Sequence, residues 1–212
     1  MRIILALLGG FMAIAGVTGA AAAATFHAAG LDFSDELGGF NLISVTGVGT
    51  VIDPIVIVEE ISGLQPAVLV VRGAHKQRED DRKISGLSFI NIAVIKIVIN
   101  RSGRVWTGFD LELQEEYQQP STYGDGLSFD QMRSFGDEMS RSDLFELSQE
   151  VSEPFDRVSF GQGSVDPGAT VRFNFFITDP TPQQEFFLVQ EPKLILSHVP
   201  PGARQLALRP PL

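Results

Sequence analysis

The sequence predicts an all-β fold, an antiparallel two-sheet sandwich interrupted by one long, partly irregular insertion. Three observations carry this expectation. Apolar and polar residues alternate over short windows, β-branched runs recur, and helical periodicity is scarce. Turn signals separate the runs at Ser62-Gly63, Ser102-Gly103, Gly124-Asp125-Gly126 and Asp166-Pro167-Gly168. The last has the type II pattern: Pro167 presets φ at the second position and Gly168 accepts a positive φ at the third.

The elements follow in order. Phe40 to Thr46 is a short strand candidate, and Ile55 to Ile61, Ala67 to Val71 and Ile92 to Ile99 are continuous apolar runs. Such runs suit strands buried on both faces or central in a sheet. In Gly108 to Gln114, Phe109, Leu111 and Leu113 alternate with Asp110, Glu112 and Gln114. In TVRFNFFIT, Val171, Phe173, Phe175 and Ile177 share one face. Arg157 to Phe160, Glu185 to Gln190 and Lys193 to Ser197 complete the set. Glu59-Glu60, closing IVIVEE, reads as a strand leaving for solvent. The segment Gly73 to Lys83 is densely charged and reads as a solvated loop.

The insertion, 115–153, is rich in Gln, Ser, Asp and Gly. Ser142 as an N-cap with Asp143 in the first turn predicts a short helix over Ser142 to Gln149. A segment this long without strands inside a compact domain is a place to look for a contact region.

The ends divide the chain further. Arg2, the apolar stretch Ile3 to Val17 and the small residues Ala20 to Ala24 have the order of a secretory signal peptide, with cleavage expected after Ala24 and an uncleaved anchor over Ile3 to Ala24 as its alternative. Residues 25–200 then form a single sandwich domain, and 201–212 a loose Pro-rich tail. The expected location is the periplasm or the extracellular space, with no membrane span once the leader is removed. With 16 basic and 26 acidic side chains the net charge is -10, and loss of Arg2 makes it more negative still. That balance opposes nucleic acids and anionic membrane surfaces. The chain has no cysteine, which excludes disulfides, thiolate chemistry and a lipid anchor on Cys. Its length lets it bury a core without such staples.

Two strings carry a resemblance. VINRSGRVWTGFDLEL resembles the N-x-[ST]-G-x-x-W-T-x-[FY]-x-x-x-L pattern of several families of secreted bacterial β-sandwich proteins. Asn100, Gly103, Trp106, Thr107 and Phe109 are the matching residues. VDPGATVRFNF is similar to the PG-turn and strand of immunoglobulin-like extracellular modules, through Pro167, Gly168 and Val171. The resemblance implies an immunoglobulin-like sandwich. The tail lacks the C-terminal sorting helix that some of these proteins carry.

Candidate sites are few. His27, His75 and His198 lie in no motif with a catalytic geometry behind it. Asp125 and Asp130 share an acidic loop whose oxygens suit calcium, or which is simply solvated; no other cofactor is expected. Tyr117 and Tyr123, beside Gln118, Gln119 and Asp125, are candidate rings for a polyol or polysaccharide. Trp106, Phe109, Phe173 and Phe175 are expected in the core, Trp106 with the stacking platform as its alternative. The function these features suggest is an exported, non-enzymatic sandwich that binds a protein or polysaccharide partner or associates with a surface or matrix. The alternatives are a carbohydrate-active hydrolase on the same scaffold, which needs a facing pair of carboxylates, and a subunit of an exported fibre, which needs an open edge strand.

Overall fold

The computed structural model describes residues 22–73, 90–121, 124–129, 140–151 and 155–194. Residues 1–21, the charged segment after Gly73, and residues 195–212, with most of the strand expected over Lys193 to Ser197, lie outside them. Among the described residues there is no helix, and so none long and apolar enough to cross a membrane.

Among the described residues, twelve strands form two sheets. The first hairpin, β1 (Thr25–Ala28) and β2 (Leu31–Ser34), turns through Ala29 and Gly30, whose φ values of 51° and 74° are those of a two-residue type I′ turn. Then come β3 (Asn41–Thr46), β4 (Ile55–Ile61), β5 (Ala67–Arg72), β6 (Ile90–Asn100) and β7 (Gly108–Gln114). The insertion supplies β8 (Arg141–Ser142) and β9 (Phe145–Val151), and β10 (Asp156–Gly163), β11 (Thr170–Asp179) and β12 (Glu185–Lys193) complete the set. One sheet has the order β1-β2-β5-β12-β7-β10-β9, the other β3-β4-β6-β11-β8.

The sheets pack face to face over alternating residues. Leu69, Leu111, Val158 and Leu188 come from the larger sheet and Ile57, Val94, Val98 and Val171 from the smaller, all buried. Phe173 is the aromatic hub: Phe109 and Phe160 each lie 4.8 Å from it and Phe145 6.1 Å, centroid to centroid. Each such ring contributes on the order of 1.5–3 kcal/mol through burial.

Two expectations are corrected. The sheets are not antiparallel throughout, because β4 and β6 run parallel, with Ile57 opposite Lys96 and Val58 opposite Ile97. After β4 the chain crosses to the other sheet to form β5 and then returns, so β6 enters beside β4 in the same direction. The helix expected over Ser142 to Gln149 is absent. Ser142 instead pairs with Phe173, and Phe145 opens a strand zipped to β10. The side chain of Phe145 is buried against Phe173, a contact that outweighs weak local helix preference in a stretch with β-partners on hand.

Candidate functional site

The loop after β6 settles the role of the tryptophan. Asn100 Nδ2 donates to the carbonyls of Arg104 at 2.7 Å and Val165 at 3.0 Å. Its Oδ1 accepts from the backbone N–H of Ser102 at 3.0 Å and from Ser102 Oγ at 2.7 Å. Ser102 Oγ in turn accepts the indole N–H of Trp106 at 2.9 Å. Trp106 is 0% exposed and bridges to Val165 through both backbone bonds. No face of the ring is left for stacking a ligand. Counting parity backward from Phe109 places Trp106 away from the core, but β7 begins at Gly108, so that parity does not reach it.

The residues proposed for ligands separate. Asp130 and Tyr123 lie outside the described residues. Tyr117 is 41% exposed, with its ring 5.5 Å from that of Phe187 on the outer side of the large sheet. Asp125 is engaged in holding its own turn: Oδ2 accepts from Ser121 Oγ at 2.5 Å and Oδ1 from the Leu127 N–H at 3.1 Å. Among the described residues no group of three side chains is placed to hold a metal ion. Glu115, Glu116, Gln119, Ser121 and Asp125 line an open depression of about 300 Å³. Burial, then the negative charges of Asp125 and Asp179, push the Glu115 carboxyl up to about 7, against a hydrogen bond from Gln183. That carboxyl therefore titrates near neutrality, well above the usual carboxylate range. His27 pairs with Asp32 at 2.8 Å on an exposed hairpin; His75 and His198 are outside the described residues.

Glu59 corrects its reading as a strand exit. The strand runs on to Ile61, and residues 55, 57, 59 and 61 all face inward. Glu59 is therefore wholly buried, with Lys96 Nζ 2.5 Å from its Oε2 and Gln190 Nε2 3.3 Å from the same oxygen. Desolvation raises the Glu59 carboxyl above its ordinary range and lowers the Lys96 ammonium below its own. Glu60, one residue on, points outward and pairs with Arg101 at 2.9 Å.

The outer face of the five-stranded sheet is a feature that periodicity alone did not single out. Val56 and Val58 on β4 stand beside Ile95 and Ile97 on β6, with Ile99 next along, all half-buried and all pointing away from the core. At one end of this stripe the β3–β4 loop, residues 47–54, carries Val48, Val51 and Ile52 in the open, Ile52 at 98% exposure. The loop is tied down: Thr50 N–H donates to Asp53 O at 3.1 Å, Asp53 N–H to Thr50 Oγ1 at 3.0 Å, and Ala93 N–H to Gly49 O at 2.9 Å. Between loop and sheet lies a groove of about 230 Å³ lined by Val51, Pro54, Ala93 and Ile95, with Arg141, Arg172 and Asn174 at its side. The signal in sequence was the odd-numbered half of INIAVIKIVIN, apolar on both parities.

No family model, no curated protein and no solved structure matches the chain.

Proposed function

We propose that the protein is an exported, non-enzymatic, immunoglobulin-like β-sandwich that binds a protein partner through the outer face of its five-stranded sheet and the β3–β4 loop. The observation that carries this reading is the apolar stripe of Val56, Val58, Ile95 and Ile97 continuing into the solvent-facing Val48, Val51 and Ile52. Apolar surface rimmed by polar groups, here Glu60, Arg101, Arg172 and Asn174, is the chemistry of a protein interface. The hydrogen-bonded loop presents its side chains pre-ordered, which lowers the entropy lost on binding. Two packed sheets around one buried tryptophan support the immunoglobulin-like description, and the leader supports export.

Glu115 favours a second reading, the hydrolase, because a carboxyl that titrates near neutrality is poised to act as a general acid. One experiment separates the two. A photoreactive residue placed at position 52, with one at 64 as control, is activated in the producing cells. A discrete adduct at 52 that disappears when Ile97→Glu is added supports the sheet face. An adduct of twice the chain mass makes the partner a second copy. Absence of any adduct at 52, together with glycan hydrolysis that Glu115→Gln abolishes, transfers the function to the acidic depression.

A further inference from the structure

We propose that Lys96 and Gln190 become joined by an intramolecular amide bond that staples the two sheets together, with Glu59 as the proton carrier. The geometry comes first. Lys96 projects inward from β6, at the centre of the five-stranded sheet, and Gln190 inward from β12, between Ala67 and Leu111 of the seven-stranded sheet. Both nitrogens sit on one atom: Glu59 Oε2 lies 2.5 Å from Lys96 Nζ and 3.3 Å from Gln190 Nε2. All three side chains are 0% exposed.

As three separate side chains the cluster is poorly satisfied. Among the described residues, Glu59 Oε1 and Gln190 Oε1 meet no hydrogen-bonding partner. A buried ion pair offsets its desolvation only when the remaining lone pairs and protons are also engaged. The same burial gives the amine the form a nucleophile needs, since it disfavours the ammonium ion of Lys96, and it favours the uncharged acid at Glu59.

The step balances without a co-reactant. The lone pair of Lys96 Nζ attacks Gln190 Cδ, and the Glu59 acid gives its proton to Gln190 Nε2 as the tetrahedral carbon collapses by breaking its bond to that nitrogen, so the departing group is ammonia. The Glu59 carboxylate left behind then takes a proton from Nζ, now in the new C–N bond, which leaves a neutral amide and restores the acid. Nothing is oxidised or reduced, and Glu59 ends as it began. The product is an uncharged amide in a site that disfavours charge. It gives a cysteine-free chain a covalent tie between its sheets that reductants cannot open.

Mass spectrometry of the purified full chain, its N-terminus determined by Edman degradation, tests the inference. The expected result is a protein lighter than its own polypeptide by one ammonia, whose tryptic digest contains a branched peptide joining Lys96 to Gln190. The deficit vanishes in Lys96→Met and in Gln190→Leu, and on a denaturing gel both variants migrate more slowly than the closed-loop wild type. A full polypeptide mass with unbranched peptides around both residues overturns the inference. So does a deficit of one water with Lys96 joined to Glu59, which would make Glu59 a substrate rather than the proton carrier. The wild-type measurement decides the matter even if a variant fails to fold.

Discussion

Asn100 satisfies two backbone carbonyls, one backbone N–H and the Ser102 hydroxyl that receives the Trp106 indole proton. Replacing it by alanine strands several buried polar groups at once, and each left unpaired costs about 1–3 kcal/mol. Asn100→Ala should therefore lower unfolding free energy by roughly 2–4 kcal/mol, measured by urea denaturation with Trp106 emission as the signal. A loss below about 0.5 kcal/mol, the size of a surface substitution, would mean that the network does not hold the loop. The spacing Asn-x-Ser-Gly-x-x-Trp is visible in the sequence, which favours the core for Trp106 without removing its alternative, an exposed platform. What decides between them is a hydrogen-bond chain running to Val165, some sixty residues away along the chain, which no local pattern displays. Glu59 and Lys96 illustrate the opposite case. Strict alternation through Ile55, Ile57 and Ile61 already placed Glu59 inside, and the expectation that a carboxylate leaves for water overrode it. Its compensation comes from other strands, so the sequence offered no visible reason to keep it buried.

At the scale of elements, strong apolar runs located themselves. β4 and β7 have the bounds read from sequence, while β6, β10, β11 and β12 extend a few residues beyond theirs. The weaker elements were lost where partners rather than composition make the strand. β8 is two residues long and exists through its pairing with Phe173 and Asn174. β9 reads Phe-Glu-Leu-Ser-Gln-Glu-Val, and Ser142 and Asp143 before it mimic a helix start. The β1–β2 hairpin was missed from sequence, because its strands are four residues each and its Ala-Gly turn is a weak signal; Phe26 and Phe33 lie directly opposite each other across it. The β3–β4 loop depends on Gly47, whose φ is +99° and where an added Cβ would meet the Pro54 carbonyl oxygen at 2.0 Å. Gly47→Ala should cost about 1–3 kcal/mol in backbone strain and displacement, read as a fall in thermal midpoint. It should also weaken partner capture at Ile52 without altering the core. If both midpoint and capture are unchanged, the loop is not the rigid presenter described above.

For the molecule as a whole, the fold class followed from patterning, whereas the sheet order and the parallel pairing of β4 with β6 did not. Which strand neighbours which depends on crossings between the sheets, and β5 sits between β4 and β6 in sequence but in the other sheet in space. The functional reading belongs to this scale as well, because the apolar face is assembled from β4, β6 and the β3–β4 loop and has no contiguous sequence signature. The net charge of -10 keeps such a face from indiscriminate association. Carbene footprinting of the protein, purified and in the gently opened producing cell, tests the central claim most directly. Val48, Val51, Ile52, Ile95 and Ile97 should label strongly in the purified protein and be protected in the cell, with Leu64 and Tyr117 unchanged. Equal labelling of the stripe in both samples, or protection centred on Glu115 to Ser121 instead, would contradict a sandwich that works through its five-stranded face.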